Sequence, residues 1–189
     1  MQINKDLLAA LADMTYTGRD PRGALLRYVY HDLVQNSLLA CNGYQLALVK
    51  FDEEPFNPEA MMMARFDPDD IKLLCETKGK TFDPHYFDQY EHDRHQIEPA
   101  MYLLRHAIKQ EYKPIESEFR HCIFTSALEK AFKLTKCVCS MSSLEIALVD
   151  PYSRPFWVFY RKVTATGVQV WFVTTAGSFK VGDSVEDAF

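Results

Sequence analysis

The spacing of apolar positions divides the chain into elements before any chemistry is considered. Leu7, Leu8, Leu11 and Met14 recur every three or four residues, Asn4 is placed to cap, and Gly18 follows, which predicts a helix over 4–15. Beyond a Gly/Pro/Asp-rich loop at 18–23 the pattern shortens to apolar runs at 24–32, 37–41 and 44–51. The last two runs flank Asn42-Gly43, a strong hairpin signal because both central residues of a type I′ turn need φ > 0. Residues 52–59 carry Pro55 and Pro58 and read as a loop, and 61–66 predict a further strand.

From there prolines punctuate the chain. Asp67-Pro68-Asp69-Asp70 places a cap, a first-turn proline and acids at the positive end of a helix predicted to run to 77. Asp83-Pro84 opens another to 95 and Glu98-Pro99 a third to 112. With no strand between the last two, 81–118 is expected to be a helical insertion. A strand at 118–124 precedes Ser126-x-x-Glu129, a capping box that predicts a helix to 136. Apolar runs at 144–149, 156–163 and 168–175 then predict an antiparallel meander, with Ala165-Thr166-Gly167 joining the last two. Cys137 and Cys139 read as strand residues, and the polar, acidic 177–189 as a loosely ordered tail. The expectation is one α+β domain over 1–189, made of 1–80, the insertion 81–118, 119–176 and the tail 177–189.

Composition narrows the function classes. The 189 residues are 48% hydrophobic and 25% charged, as in an ordinary globular domain. No run of 18 uncharged apolar residues occurs, so a membrane-spanning helix is not expected. Met1-Gln2-Ile3-Asn4-Lys5-Asp6 lacks the basic and apolar regions of a signal peptide. Cys41, Cys75, Cys122, Cys137 and Cys139 are odd in number and show no framework spacing, which fits reduced thiols and a cytoplasmic location. A net charge of −5 argues against a generally basic nucleic-acid coat and leaves room for a local basic face.

Two helical stripes supply such a face. Arg105, Lys109 and Lys113 are spaced by four residues opposite Met101, Leu104 and Ile108, and Lys130, Lys133 and Lys136 lie opposite Leu128, Ala131 and Phe132. Any solvated amphipathic helix shows the same pattern. On a helix from Pro84, His85, Asp88, His92 and His95 fall within roughly 80° of arc. Imidazoles one turn apart with a carboxylate can share a metal ion, the basis of an alternative reading as a metal-dependent hydrolase. The polar side of an amphipathic helix is the preferred reading of these residues, since no H-E-x-x-H or C-x-x-C pattern accompanies them. The chain has no G-x-G-x-x-G, no phosphate loop and no G-x-S-x-G elbow. Phe156, Trp157, Phe159, Tyr160, Trp171 and Phe172 can stack bases or fill a meander core.

Two stretches share the plan of a helix followed by antiparallel strands. One ends in Leu39-Ala40-Cys41-Asn42-Gly43-Tyr44-Gln45-Leu46-Ala47-Leu48, and the other covers 124–150 with a final strand at 168–175. On these residues the chain resembles the bacterial DNA polymerase III β-subunit family, the sliding clamps, whose hairpin reads A-T-D-G-H-R-L-A. Asn42 and Gln45 stand where that family has Asp and Arg, and Val173-Thr174-Thr175 where it has Met-Pro. The chain is too short for the family's three domains.

The resemblance implies a DNA-clamp-like fold of two helix-plus-antiparallel-strand halves, without cofactor or catalysis. It implies a groove for short peptides of replication or repair proteins, formed by Cys41, Gly43, Tyr44, Gln45 and Leu46 with Phe172 and Val173 opposite. It also implies duplex DNA along the two basic stripes, and it leaves a homo-oligomer open. A third reading is a small binding or inhibitory protein of unrelated α+β fold.

Overall fold

One order of elements occurs twice in a computed structural model, which describes residues 3–19, 26–32, 34–54, 57, 63–66, 81–82, 91–92, 119–138, 145–149 and 156–180. The first unit is β1 (Ile3–Asn4), α1 (Lys5–Ala12), β2 (Val29–Asp32), β3 (Ser37–Cys41) and β4 (Gln45–Lys50). Three short strands follow: β5 (Met63–Phe66), β6 (Thr81–Phe82) and β7 (Glu91–His92). The second unit is β8 (Phe119–Cys122), α2 (Thr125–Val138), β9 (Glu145–Val149), β10 (Phe156–Lys162) and β11 (Gln169–Thr175), with β12 (Gly177–Lys180) after it.

Among the described residues the main sheet has eight strands in the order β7-β5-β2-β3-β4-β11-β10-β9, with antiparallel neighbours throughout. Each unit contributes a three-strand meander. The meanders meet through their last strands, β4 against β11, from Gln45↔Thr174 to Lys50↔Gln169. Two small ladders flank the sheet, β1 with β6 and β12 with β8.

Strand alternation gives the sheet two buried faces. Val29, Leu38, Ala40, Ala47, Val49, Phe159, Val170 and Phe172 lie against Leu7, Leu8 and Leu11 of α1 and Ala127, Ala131 and Leu134 of α2. Both helices therefore cover one face, and the small alanines of α2 allow close approach. Tyr30, Leu39, Cys41, Leu46, Leu48, Phe156, Val158, Trp171 and Val173 form the other apolar layer, with Leu26 among them. Burial on both faces explains why β3 and β4 read as unbroken apolar runs rather than as alternation. Each large side chain so buried contributes about 1.5–3 kcal/mol.

Several local expectations shift. The hairpin turn is centred on Gly43-Tyr44, because Cys41 pairs with Leu46 and Asn42 N–H donates to the Gln45 carbonyl at 3.1 Å. Asn42 instead flanks the turn, its Oδ1 accepting from Tyr44 N–H (3.0 Å) and Gln45 N–H (2.8 Å). Gly43 has φ 94°, which a type II′ turn requires of its first central residue.

The second helix starts one residue before the expected cap. The Phe124 carbonyl accepts from Ala127 and Leu128 N–H, so Ser126 lies inside the first turn. It also runs on to Val138, since Cys137 and Val138 still pack against the core. Cys137 is thus helical and not a strand residue. The tail begins as a strand, with Gly177–Lys180 paired to β8.

The expected helix over 84–95 does not pass through Glu91–His92, which are extended and paired with Ala64 and Met63. The other residues of that predicted helix, and those of the helices over 67–77 and 98–112, lie outside the described residues.

Candidate functional site

The Asn42–Gln45 turn projects from the end of the sheet where α2 begins. The Tyr44 carbonyl accepts from Thr175 N–H at 3.0 Å, tying the turn to the end of β11. Lys130 of α2 donates to Gln45 Oε1 at 3.1 Å, and Asn42 Nδ2 to the same oxygen at 3.4 Å. The Gln45 side chain is therefore held by the protein itself. The Tyr44 ring is free, with 69% of the residue exposed. Phe124, at the head of α2, is a second exposed aromatic.

The sequence-predicted groove residues separate in this geometry. Gly43 and Tyr44 are on the surface, whereas Leu46 and Val173 are fully covered and lie in the apolar layer away from the helices. Cys41 is in that same layer. Phe172 points to the opposite face, against the helices, because adjacent strand residues alternate. Phe172 and Val173 thus do not line one groove. Burial pushes the Cys41 thiol up to about 12, with the Gly43 N–H bonded to its Sγ at 3.3 Å acting in the opposite direction.

The lysines of α2 divide in a similar way. Lys130 is engaged with Gln45, Lys133 forms an ion pair with Asp13 at the end of α1, and Lys136 is exposed in the last turn. Arg105, Lys109 and Lys113 lie outside the described residues, as do His85, Asp88 and His95. The proposed helical metal face fails at His92, because an extended backbone does not give the 100° step on which that face was built. Among the described residues no group of three His, Cys, Asp or Glu side chains is placed to hold a metal ion. None of the described helices is long and apolar enough to cross a membrane.

The opposite end of the β4·β11 seam holds residues that sequence reasoning passed over. Asp32, Ser37, Lys50 and Gln169 stand side by side in register across four strands, all buried. Lys50 is only 2% exposed, with its ammonium on the Gln35 carbonyl and the Asp52 carboxylate. The available signal was parity. These four polar residues have the strand parity of Tyr30, Leu39, Leu48 and Trp171, which are core.

No family model matches the chain, and no curated protein matches it. Among solved structures the chain is similar to the DNA polymerase sliding clamp from Bacillus subtilis, at 14% identity and a TM-score of 0.31. The match covers 95% of this chain and 52% of that one, so the chain spans about half the clamp's length.

Proposed function

We propose that the chain is a non-enzymatic interaction module of clamp-like plan, serving DNA replication or repair by holding partner proteins through short extended peptides. The observation that carries this reading is the repeated order strand–helix–three strands, with both helices on one face and the meanders joined through their last strands. The resemblance at 39–48, 124–150 and 168–175 implies two helix-plus-antiparallel-strand halves, a reading that this order supports.

A peptide arriving at the hairpin meets Tyr44 and Gly43 first, and gains Leu46 and Val173 only if the apolar layer opens at that end. Two anchors, each contributing about 1.5–3 kcal/mol less ordering costs, give roughly micromolar affinity. Duplex DNA is the second proposed ligand, on Lys130, Lys133 and Lys136 together with Arg105, Lys109 and Lys113. Copies of the chain can also associate along β9, which among the described residues pairs on one side only and carries Ile146 at 50% exposure.

The test is selection from a display library of extended peptides, followed by anisotropy on the enriched ones. Enriched peptides should carry Leu or aromatic anchors, and Tyr44→Ala should weaken them about tenfold, one exposed aromatic contact's worth, without moving the melting temperature. Enriched peptides indifferent to Tyr44→Ala would remove the hairpin as the binding site.

A further inference from the structure

Residues 51–54 and Asn57 run past the polar end of the β4·β11 seam, and buried side chains from both units hold them there. From the first unit, Lys50 Nζ reaches the Asp52 carboxylate and, at 3.0 Å, the Gln35 carbonyl. The Gln35 amide donates to the Asn57 carbonyl at 2.8 Å and accepts from Asn57 N–H, pairing with that residue as a neighbouring strand would. The same amide nitrogen is fixed by Asp32 Oδ2 at 2.9 Å.

The second unit holds the segment from the other side. Gln169 Nε2 donates to the Asp52 and Glu54 carbonyls at 3.0 and 3.2 Å. Lys162 pairs with Glu53 at 3.7 Å. Gly167, at φ 71°, lies so close that an added Cβ would meet the Glu53 side chain. Lys50 and Gln169, which grip from opposite units, are themselves cross-strand partners.

A connection leaving a strand normally runs over the surface with its polar groups in water. Here a buried ammonium and two buried amides bond the Asp52, Glu54 and Asn57 carbonyls, the Asn57 N–H and the Asp52 carboxylate. The gripping side chains Gln35, Lys50 and Gln169 are buried while Glu53, Glu54 and Asn57 are exposed, so releasing the segment leaves all three buried groups short of partners at once and the contacts stand or fall together. The β10–β11 turn, packed on Glu53, belongs to the same unit.

We infer that residues 51–54 and Asn57 act as a strap that locks the two meanders at one end of their seam, and that these residues and the turn 164–168 open as one cooperative unit while the helix-covered face stays closed. The reading is independent of any ligand.

Native-state hydrogen exchange on the full chain tests it. The amides of Phe51 (to the Asn36 carbonyl), Glu54 (to Asp52 Oδ1), Asn57 (to Gln35 Oε1) and Gly167 (to the Val163 carbonyl) should share one opening equilibrium. That opening should be at least tenfold more frequent than for the paired amides of β4 and β11, as for a local unit rather than the whole domain. Gln169→Leu should raise exchange at Asn57, which it does not touch, by about tenfold, the effect of one lost buried hydrogen bond. Gln35→Leu should do the same at Gly167. Exchange that rises only at the groups each side chain bonds would overturn the strap. Should either variant fail to fold, the wild-type data decide alone: four amides with unrelated opening equilibria would also overturn it.

Discussion

The two units repeat one chain order at different depths. In the first, α1 is eight residues long and buries Leu7, Leu8, Ala10 and Leu11, while β2 and β3 are buried at every position. In the second, α2 runs for fourteen residues and exposes Thr125, Ser126, Glu129, Lys133 and Lys136. Its β9 leaves Glu145 and Ile146 open, and β10 is half-buried at Trp157, Tyr160 and Arg161. The cause is position in the sheet. β2 has β5 on its outer side, whereas β9 ends the sheet among the described residues. A repeated topology thus supplies a core unit and a unit with surface to offer, without any change in element order.

The largest expected contrast comes from equivalent truncations in the two units. Leu38→Ala removes a fully covered side chain facing both helices and should cost about 2–5 kcal/mol. Ile146→Ala, at the open edge, should cost under about 1 kcal/mol. Urea denaturation of both variants measures this. Equal costs would mean that the β9 edge is covered in solution, and a concentration dependence of the Ile146→Ala value would identify a second copy as the cover.

Thiol chemistry sharpens the same comparison. Burial holds the Cys41 thiol up at about 12. Cys137 is also raised, by burial first and then by Asp6, with Lys133 opposing, but it is only half-buried. At pH 8, residue-resolved alkylation should modify Cys137 well before Cys41, whose thiolate forms only on unfolding. The linkage has a definite sign. An unfolded thiol ionises near ~8.5, so the native state binds the extra proton above that value. The Cys41 contribution is then intact below about pH 8.5 and is lost as pH rises toward 12, at up to about 1.4 kcal/mol per pH unit. Cys41→Ala should flatten that alkaline limb, and an unchanged limb would mean that the thiol titrates normally.

How much of this was legible follows the same division. The hairpin strands, the C-terminal meander and α1 were readable because apolar runs ended at turn residues, and Ser37–Cys41 was placed to the residue. The turn was misplaced by one residue because Asn42 can cap a turn as readily as occupy its centre. The site set was harder to read. Leu46, Phe172 and Val173 were grouped by the family resemblance, and only the observed pairing shows Phe172 on the other face. The polar row at Asp32, Ser37, Lys50 and Gln169 shows in the sequence only as strand parity with core residues, because its members sit at the ends of four separate runs and only strand register brings them together.

The smallest expected effect joins the units across their helices. Asp13 and Lys133 form an ion pair with both side chains more than half exposed, at 55% and 54%. Water screens such a pair and both side chains lose rotamer freedom, so a double-mutant cycle with Asp13→Asn and Lys133→Met should give about 0.2–1 kcal/mol of coupling, shrinking in salt. A larger, salt-insensitive coupling would mean that the helices meet in a drier, more rigid contact than the exposures indicate. The same pair gives the DNA proposal a test of sign. If duplex DNA lies along α2, Asp13 competes with phosphate for Lys133, so Asp13→Asn should tighten duplex binding while Lys133→Met weakens it. Each lost phosphate contact should lower the log–log salt slope by roughly 0.9. Asp13→Asn leaving duplex affinity untouched, or no duplex binding by the wild type at low salt, would remove α2 as a DNA-facing surface and leave its lysines as the solvated side of the more open unit.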